Sequence, residues 1–372
     1  MTTANRPVLL AAGGTGGHLF PAEALARVLI ARGIPVELMT DTRALAYSGS
    51  FPARAVHAVP SATPSAGSPL SKIKAGLQLG LGTAKAYALL GGIKPAAIVG
   101  FGGYPTVPPT LAASWRGIPV VLHEQNAVMG RANRFLAARA TRVATGFASL
   151  GKAGPAVKAK AVQTGNPIRP AVLAAAVIPF PPIRDDGMIS LLVTGGSQGA
   201  RVMSDVVPAA IVTLPPELRA RLSIVQQARG EDEARVRATY GDAGVRAEVA
   251  SFFNDLPARI AGAHLVIARS GASTVSELAV IGRPAILVPL PGALDQDQAA
   301  NAAVLGDIGA ATVVDQKQFT SAWLAAELAR VLNHPGELAS RANAARSAAQ
   351  PQGAERLADL VQSLIGALEH RS

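Results

Sequence analysis

Twice along this chain a short apolar run leads into a glycine-rich loop and then into a helical pattern, and that repetition confines the fold to a narrow class. The first instance is Val8–Ala12, then Gly13-Gly14-Thr15-Gly16-Gly17-His18, then a helix expected from about Pro21 to a stop at Gly33. The second is Ile189–Thr194, then Gly195-Gly196-Ser197-Gln198-Gly199-Ala200, then a helix over Arg201–Thr213. Proline suits a first helical turn and glycine a helix end. Uninterrupted apolar runs mark strands covered on both faces, as in parallel sheets. Further runs follow at Pro35–Thr40, Ile98–Gly100, Pro119–Leu122 and Arg142–Thr145, and again at Ser223–Gln227, Ala247–Ser251, His264–Ala268, Ala285–Pro289 and Ala311–Val314. Alternating with helical patterns, they predict an α/β chain of two doubly wound, Rossmann-like domains.

A length of 372 residues is enough for two cores. Pro167, Pro170, Pro179, Pro181 and Pro182 crowd one stretch, too proline-rich for a core element and placed as a linker. The expected domains are residues 1–170 and 171–352, with residues 353–372 a helix that crosses back onto the first domain. Doubly wound sheets bind ligands beyond the C-terminal ends of their strands, so the two domains are expected to face each other across a cleft holding the site.

The chain has no cysteine, which excludes disulfides, thiolate metal sites and a cysteine nucleophile. Charge is divided unevenly. Residues 1–170 hold 18 Lys and Arg against four acids (Glu23, Glu37, Asp41 and Glu124), a net +14, whereas residues 171–372 carry −3 of the overall +11. The first half is therefore expected to face an anionic partner, a membrane surface or a diphosphate. Aromatic residues are 4% of the chain and do not interleave with basic runs, so nucleic acid is not expected. The longest uncharged stretch, Pro95–Trp115, is broken by glycines and by Pro105, Pro108 and Pro109 and cannot be a spanning helix. Membrane contact is expected to be peripheral. Between Ser71 and Leu90, Ile73, Leu77 and Leu81 fall four apart on one helical face with Lys72, Lys74 and Lys85 close by, and Trp115 and Arg116 extend the patch. Packing of the same side chains on the first sheet is the alternative.

Several segments carry chemistry. The loop Gly13–His18 lets backbone approach a phosphate or sugar beside a helix N-terminus, without the spacing of a dinucleotide fingerprint or a Walker loop. Gly195–Ala200 repeats the device and adds the Ser197 hydroxyl. Arg269-Ser270-Gly271-Ala272-Ser273-Thr274-Val275-Ser276-Glu277 ends a strand and opens a helix, with Glu277 placed to accept ribose hydroxyls; Ser273 or Thr274 capping that helix with Glu277 as capping-box partner is the structural alternative. His123-Glu124-Gln125-Asn126 gathers four polar groups at a strand end, and Arg169 can reach a phosphate or base. Asp295-Gln296-Asp297-Gln298 contains a D-x-D, but hydrogen bonding to sugar hydroxyls through Gln298 fits better than a metal, and neither a metal nor a cofactor is expected.

In this order the segments, with Gly102-Gly103-Tyr104-Pro105, Gly165–Arg169 and Gln298/Asn301, resemble the MurG family over nearly the whole chain. The resemblance implies a GT-B fold and inverting transfer of N-acetylglucosamine from UDP-N-acetylglucosamine to the muramoyl C4 hydroxyl of lipid I, on the cytoplasmic face of the bacterial inner membrane. It implies that Ser197, Arg169, Ala272, Ser273, Thr274, Val275, Ser276, Glu277 and Gln298 contact the donor, with the backbone of Phe253 on uracil. Thr15, Gly16, Gly17 and Asn126 would approach the sugar from the first domain, and Gly13, Gly14, Gly102, Gly103 and Tyr104 would meet the acceptor diphosphate. His18 is the first candidate for the base and Glu124 the second. Many relatives have a pair resembling His-Gln or Gln-Gln where this chain has Asp297-Gln298, which leaves position 297 without an assigned role. A UDP-N-acetylglucosamine 2-epimerase, a glycolipid transferase and a silent nucleotide-sugar sensor are the alternatives; a dinucleotide dehydrogenase is disfavoured by the missing fingerprint, although Asp41 imitates its ribose acid.

Overall fold

The computed structural model describes residues 6–13, 16–42, 51–63, 69–184, 187–196, 199–292 and 296–369. Two compact units divide the chain: Met1–Arg169 with Pro351–Ser372, and Pro170–Gln350.

The first unit is built on a parallel sheet of β1 (Val8–Ala11), β2 (Val36–Thr40), β3 (Ala55–Ala58), β4 (Ala97–Gly100), β5 (Val120–Glu124), β6 (Arg142–Thr145) and β7 (Ala161–Gln163), in the order β3-β2-β1-β4-β5-β6-β7. Side chains alternate across it. Val8 and Leu10 pack with Leu25 and Leu29 of the helix Gly16–Ala31, while Leu9 and Ala11 pack with Ala86 and Leu90 of the helix Pro69–Ile93. Both faces are covered, which is why the strands read as unbroken apolar runs. The edge strands β3 and β7 are not evident in the sequence: Ala55-Val56-His57-Ala58 and Ala161-Val162-Gln163 have one partner strand each and carry little apolar signal. The helix Gly353–Glu369 returns to this unit, burying Leu357, Ala358 and Val361 beside the first helix, and Arg32 pairs with Asp359 at 2.6 Å.

The first helix begins at Gly16, not near Pro21. Glycine carries no helix preference, so the start is set by the path of the chain out of β1 and is invisible to propensity. Having no N–H, Pro21 leaves the Gly17 carbonyl without its usual i+4 donor.

The second unit holds β8 (Ile189–Thr194), β9 (Leu222–Gln227), β10 (Arg246–Ala250), β11 (Leu265–Ala268), β12 (Ala285–Leu287) and β13 (Ala311–Val313), all paired in parallel in the order β10-β9-β8-β11-β12-β13. Its core joins Leu191, Val193, Ile224, Leu265 and Ile267 to Met203, Val207 and Ile211 of the helix Arg201–Val212. Two doubly wound parallel sheets, one in each unit, are the building blocks of a GT-B chain.

The proline-rich linker is not bare. Pro170 opens a helix, Pro170–Ala176, whose Val172 and Ala175 are buried and which packs on the helices Leu256–Gly262 and Ala272–Ile281. Proline is tolerated there because a first-turn N–H has no intrahelical partner. The segment after it is fastened by Arg283, fully buried, which donates to the carbonyls of Ala261 (2.9 Å), Ile281 (2.8 Å), Gly282 (3.0 Å), Ile178 (3.3 Å) and Pro179 (3.0 Å). Burial, with Arg346 second, lowers its pKa to about 10, so it stays charged at neutral pH. Arg283→Ala would strand several buried carbonyls, each costing about 1–3 kcal/mol. Thermal unfolding is expected to show a midpoint lower by roughly 6 °C or more, and an unchanged midpoint would show that the carbonyls find other donors.

Candidate active site

The order of the first sheet reverses between β1 and β4, and the loops leaving these two strands diverge around a crevice at their C-terminal ends. His18, in the first turn of the helix after β1, stands here half-buried. Its Nδ1 lies 2.9 Å from the carbonyl of Phe101, the residue after β4, and the Gln125 amide Nε2 donates to the same carbonyl at 3.0 Å. Gln125 Nε2 also stands 3.0 Å from Nδ1, but it has the Phe101 carbonyl to donate to, and a carbonyl only accepts; an Nδ1 set against that oxygen therefore carries the proton of neutral His18, with the lone pair on Nε2. Burial lowers the His18 pKa, opposed by the Phe101 bond, and keeps the ring neutral. Gly103 stands opposite Nε2: a Cβ built there would lie 3.2 Å from that atom, and its φ of 72° and ψ of 162° suit glycine alone. The arrangement is a histidine whose basic nitrogen has no hydrogen-bond partner among the described residues. Tyr104 opens the short turn Tyr104–Thr106 beyond Gly103, and the Thr106 hydroxyl donates to the Gly103 carbonyl at 2.8 Å.

Glu124 ends β5 and is buried. Oε1 accepts the Asn126 N–H (3.0 Å) and Asn126 Nδ2 (3.2 Å); Oε2 accepts the Gly130 N–H (2.9 Å) and Asn133 Nδ2 (2.8 Å). Burial raises its pKa and these four donors oppose the rise. All of its acceptor capacity is spent on bracketing the turn that holds Asn126. Asn133, which the sequence did not single out, also donates to the His123 carbonyl at 3.2 Å. His123 is buried against Phe101 with ring centroids 5.5 Å apart, and its pKa falls to about 4 through burial first. The Arg169 guanidinium lies 4.6 Å above the Phe20 ring. Gly16 and Gly17 supply the first-turn amides of the helix that carries His18, while Gly14 and Thr15 lie outside the described residues.

In the second sheet the order reverses between β8 and β11. Gly195 begins the loop after β8, and a Cβ there would collide with the backbone of Ala200. Ser197 lies outside the described residues. After β11, the helix Ala272–Ile281 is capped by Gly271 with no side-chain cap, which corrects the capping-box alternative: Ser273 and Thr274 sit inside the first turn. The amides of Ala272, Ser273 and Thr274 are thus left pointing out of a helix N-terminus, the standard geometry for an anion. Val275 differs from them. Its side chain is fully buried and its N–H donates to Gly271 at 3.0 Å, so it serves packing rather than ligand contact. Ser276 and Glu277 are largely buried on the same helix. Arg269 is committed to the carbonyls of Val288 and Pro289, both at 3.0 Å.

Gln298 lies in the helix Asp297–Gly306 with its Oε1 on the Leu290 N–H at 3.1 Å, and its carbonyl accepts the Ser270 hydroxyl at 2.8 Å; Asn301 Nδ2 reaches the Ser270 carbonyl at 3.2 Å. These bonds tie Gln298 to the loop after β11. Asp297 opens that helix, and Asp295, the other half of the D-x-D, lies outside the described residues. Phe253 is buried under the Arg259 guanidinium at 4.2 Å, and its backbone N–H and carbonyl take no hydrogen bond among the described residues.

Ile73, Leu77 and Leu81 are 60%, 64% and 67% exposed on the helix Pro69–Ile93, which turns Ala75, Ala86 and Leu90 inward instead. Packing on the first sheet is thereby excluded. Trp115 is 60% exposed at the end of the adjoining helix Val107–Trp115, where Arg116 stacks 3.9 Å over Tyr87. Among the described residues no helix is long and apolar enough to cross a membrane.

Comparison with known proteins agrees with both halves of this arrangement. Residues 8–145 match the glycosyltransferase family 28 N-terminal domain and residues 190–357 its C-terminal domain. The UDP-N-acetylglucosamine–N-acetylmuramyl-(pentapeptide) pyrophosphoryl-undecaprenol N-acetylglucosamine transferase of Methylobacterium nodulans is 61% identical, over 97% of each chain, and the enzyme of that name from Rhodopseudomonas palustris 55% identical over 95% of this chain and 97% of its own. The crystal structure of Acinetobacter baumannii MurG superposes with a TM-score of 0.77 at 31% identity, covering 96% of this chain and 99% of that one. A UDP-N-acetylglucosamine 2-epimerase from Neisseria meningitidis, at 13% identity and a TM-score of 0.65 over 96% and 100% of the two chains, shares the fold alone. With relatives this similar over nearly its full length, the chain belongs to the family of UDP-N-acetylglucosamine–N-acetylmuramyl-(pentapeptide) pyrophosphoryl-undecaprenol N-acetylglucosamine transferases, glycosyltransferases assembled from the two family 28 domains.

Proposed function

We propose that this chain transfers N-acetylglucosamine from UDP-N-acetylglucosamine to the muramoyl C4 hydroxyl of lipid I, giving lipid II with inversion at C1. The observation that carries the chemistry is His18, neutral, protonated on Nδ1 and without a hydrogen-bond partner at Nε2 among the described residues. The acceptor oxygen attacks C1 of the donor sugar, the bond from C1 to the diphosphate oxygen breaks, UDP departs with that electron pair, and Nε2 takes the hydroxyl proton. Glu124 acts as a positioning residue, since its four donors leave it no acceptor site for a substrate proton and hold Asn126 for the sugar.

The second unit takes the donor. The amides of Ala272, Ser273 and Thr274, with the loop carrying Ser197, meet the diphosphate and stabilise it as it leaves. Glu277 and Ser276 reach the ribose, Phe253 meets uracil through its backbone, and the Gln298 amide N–H groups meet the sugar. Thr15, Gly16 and Gly17 approach the sugar from the first unit, and Gly13, Gly14, Gly102, Gly103 and Tyr104 receive the acceptor diphosphate. Arg169, stacked on Phe20, holds its charge near the first helix for a phosphate. The exposed stripe of Ile73, Leu77, Leu81 and Trp115, with Lys72, Lys74 and Lys85, docks on the anionic cytoplasmic surface of the inner membrane as a peripheral contact.

His18→Ala is expected to lower kcat by about 10²–10⁴-fold with donor affinity nearly intact. A base must be neutral to work, and burial has lowered the His18 pKa. The rate should therefore hold down to below the ordinary histidine value of about 6.5 and fail only under it. An acid limb that persists in His18→Ala would assign the base elsewhere. Glu277→Ala and Gln298→Ala should each weaken donor use by about tenfold or more, a lost hydrogen bond being worth on the order of 1–3 kcal/mol. Unchanged donor kinetics in both would remove these residues from the donor site.

For the membrane face, binding to vesicles containing anionic phospholipid should weaken as salt is raised. The combined change Ile73→Ser, Leu77→Ser, Leu81→Ser should reduce it at least about tenfold, since each aliphatic side chain withdrawn from water contributes about 1 kcal/mol or more. Activity on a water-soluble acceptor should survive that change; equal loss on soluble and membrane-bound acceptors would place the docking surface elsewhere.

A further inference from the structure

Gln227 ends β9, the strand between β8 and β10. Its side chain is buried and reaches toward both neighbours. Oε1 accepts the Thr194 hydroxyl at 2.8 Å and the Gly195 N–H at 3.2 Å, and Nε2 donates to the Ser251 carbonyl at 3.3 Å. Thr194 Oγ1 in turn accepts the Gly196 N–H at 3.3 Å. The amide has one tenable orientation, because flipping it would set donor against donor and carbonyl against carbonyl. One side chain thus joins the glycine-rich loop after β8 to the segment Ser251-Phe252-Phe253 after β10.

We infer that Gln227 is a positioning residue that fixes the spacing between the diphosphate-binding loop and the uracil-binding segment, so that base and diphosphate of a uridine diphosphate donor are read by one rigid gauge. The inference rests on the donor reading given above, in which the loop opened by Gly195 and Gly196 meets phosphate and Phe253 meets uracil. Leucine cannot make these bonds. Glutamate can make them only when protonated, because its carbonyl then serves Thr194 and Gly195 while its O–H serves Ser251. As a carboxylate it turns a second acceptor on the Ser251 carbonyl. Burial raises a carboxyl pKa, so the Gln227→Glu variant carries its own titration.

The test is calorimetric titration of the full chain with uridine and with UDP. Thr194→Val removes the acceptor of the Gly196 N–H but leaves the bond to Ser251, and should weaken UDP about tenfold while leaving uridine unchanged. Gln227→Glu should bind uridine nearly as the parent does at low pH, then lose about tenfold or more as pH rises through the introduced carboxyl. The parent, with an amide that does not titrate, should stay level over the same range. A loss independent of pH together with a lowered unfolding midpoint would make Gln227 a fold residue only and overturn the inference. So would unchanged uridine affinity in both Gln227→Glu and Gln227→Leu. Absence of UDP binding by the parent chain would instead overturn the donor reading, and this role with it.

Discussion

A parallel strand cannot turn directly back into its neighbour; each must be followed by a crossover, and every strand then points its C-terminal end toward the same edge. In both sheets the crossovers go one way from the first strand and later the other, so the loops after β1 and β4, and after β8 and β11, part company at that edge. Backbone amides and helix N-termini collect at this parting, and chemistry is confined to what these loops can carry. The glycines there are spatial requirements. Gly103 clears the face of His18, and Gly195 lets its loop fold onto Ala200.

Such an edge sits on a dry interior, and the ionisable groups close to it are handled in two ways. Glu124 is surrounded by four donors, and Arg269 by backbone carbonyls and the Gln316 amide, so these charges are satisfied locally and rigidly. Burial pushes all of these groups toward their neutral forms, and His18 and His123 have fewer hydrogen bonds to oppose it. A buried charge without partners would cost several kcal/mol, so each group is either saturated with hydrogen bonds or discharged. The difference separates a positioning carboxylate from an imidazole able to take a proton.

Central strands are readable in the sequence because burial on two faces demands unbroken apolar residues, as in Val8–Ala11 and Leu265–Ala268. Edge strands β3 and β7 lack that demand and are unreadable. Glycine-rich loops announce themselves by composition, but the start of a helix inside such a loop does not, which is why Gly16 reads as loop and Ser273 or Thr274 as a cap. What tertiary folding decides is the least legible. The donors to Glu124 come from Asn126, Gly130 and Asn133, brought round by a turn, and Gln227 passes for an ordinary strand end until β8 and β10 lie on either side of it. The exposed stripe of Ile73, Leu77 and Leu81 can be placed on one helical face from spacing alone, although spacing cannot tell whether that face looks inward.

The helix Gly353–Glu369 belongs to the first unit, yet it is made after every residue of the second. During synthesis the second unit has its whole sequence available first, while the first sheet waits with Leu25 and Leu29 of its opening helix lacking part of their cover. The usual vectorial order, in which the amino-terminal part folds before the rest emerges, therefore cannot be completed here: the first unit lacks its last helix until the second has been made. For that interval the ribosome carries a nascent enzyme whose later half can be finished while its earlier half still offers a greasy seam to chaperones.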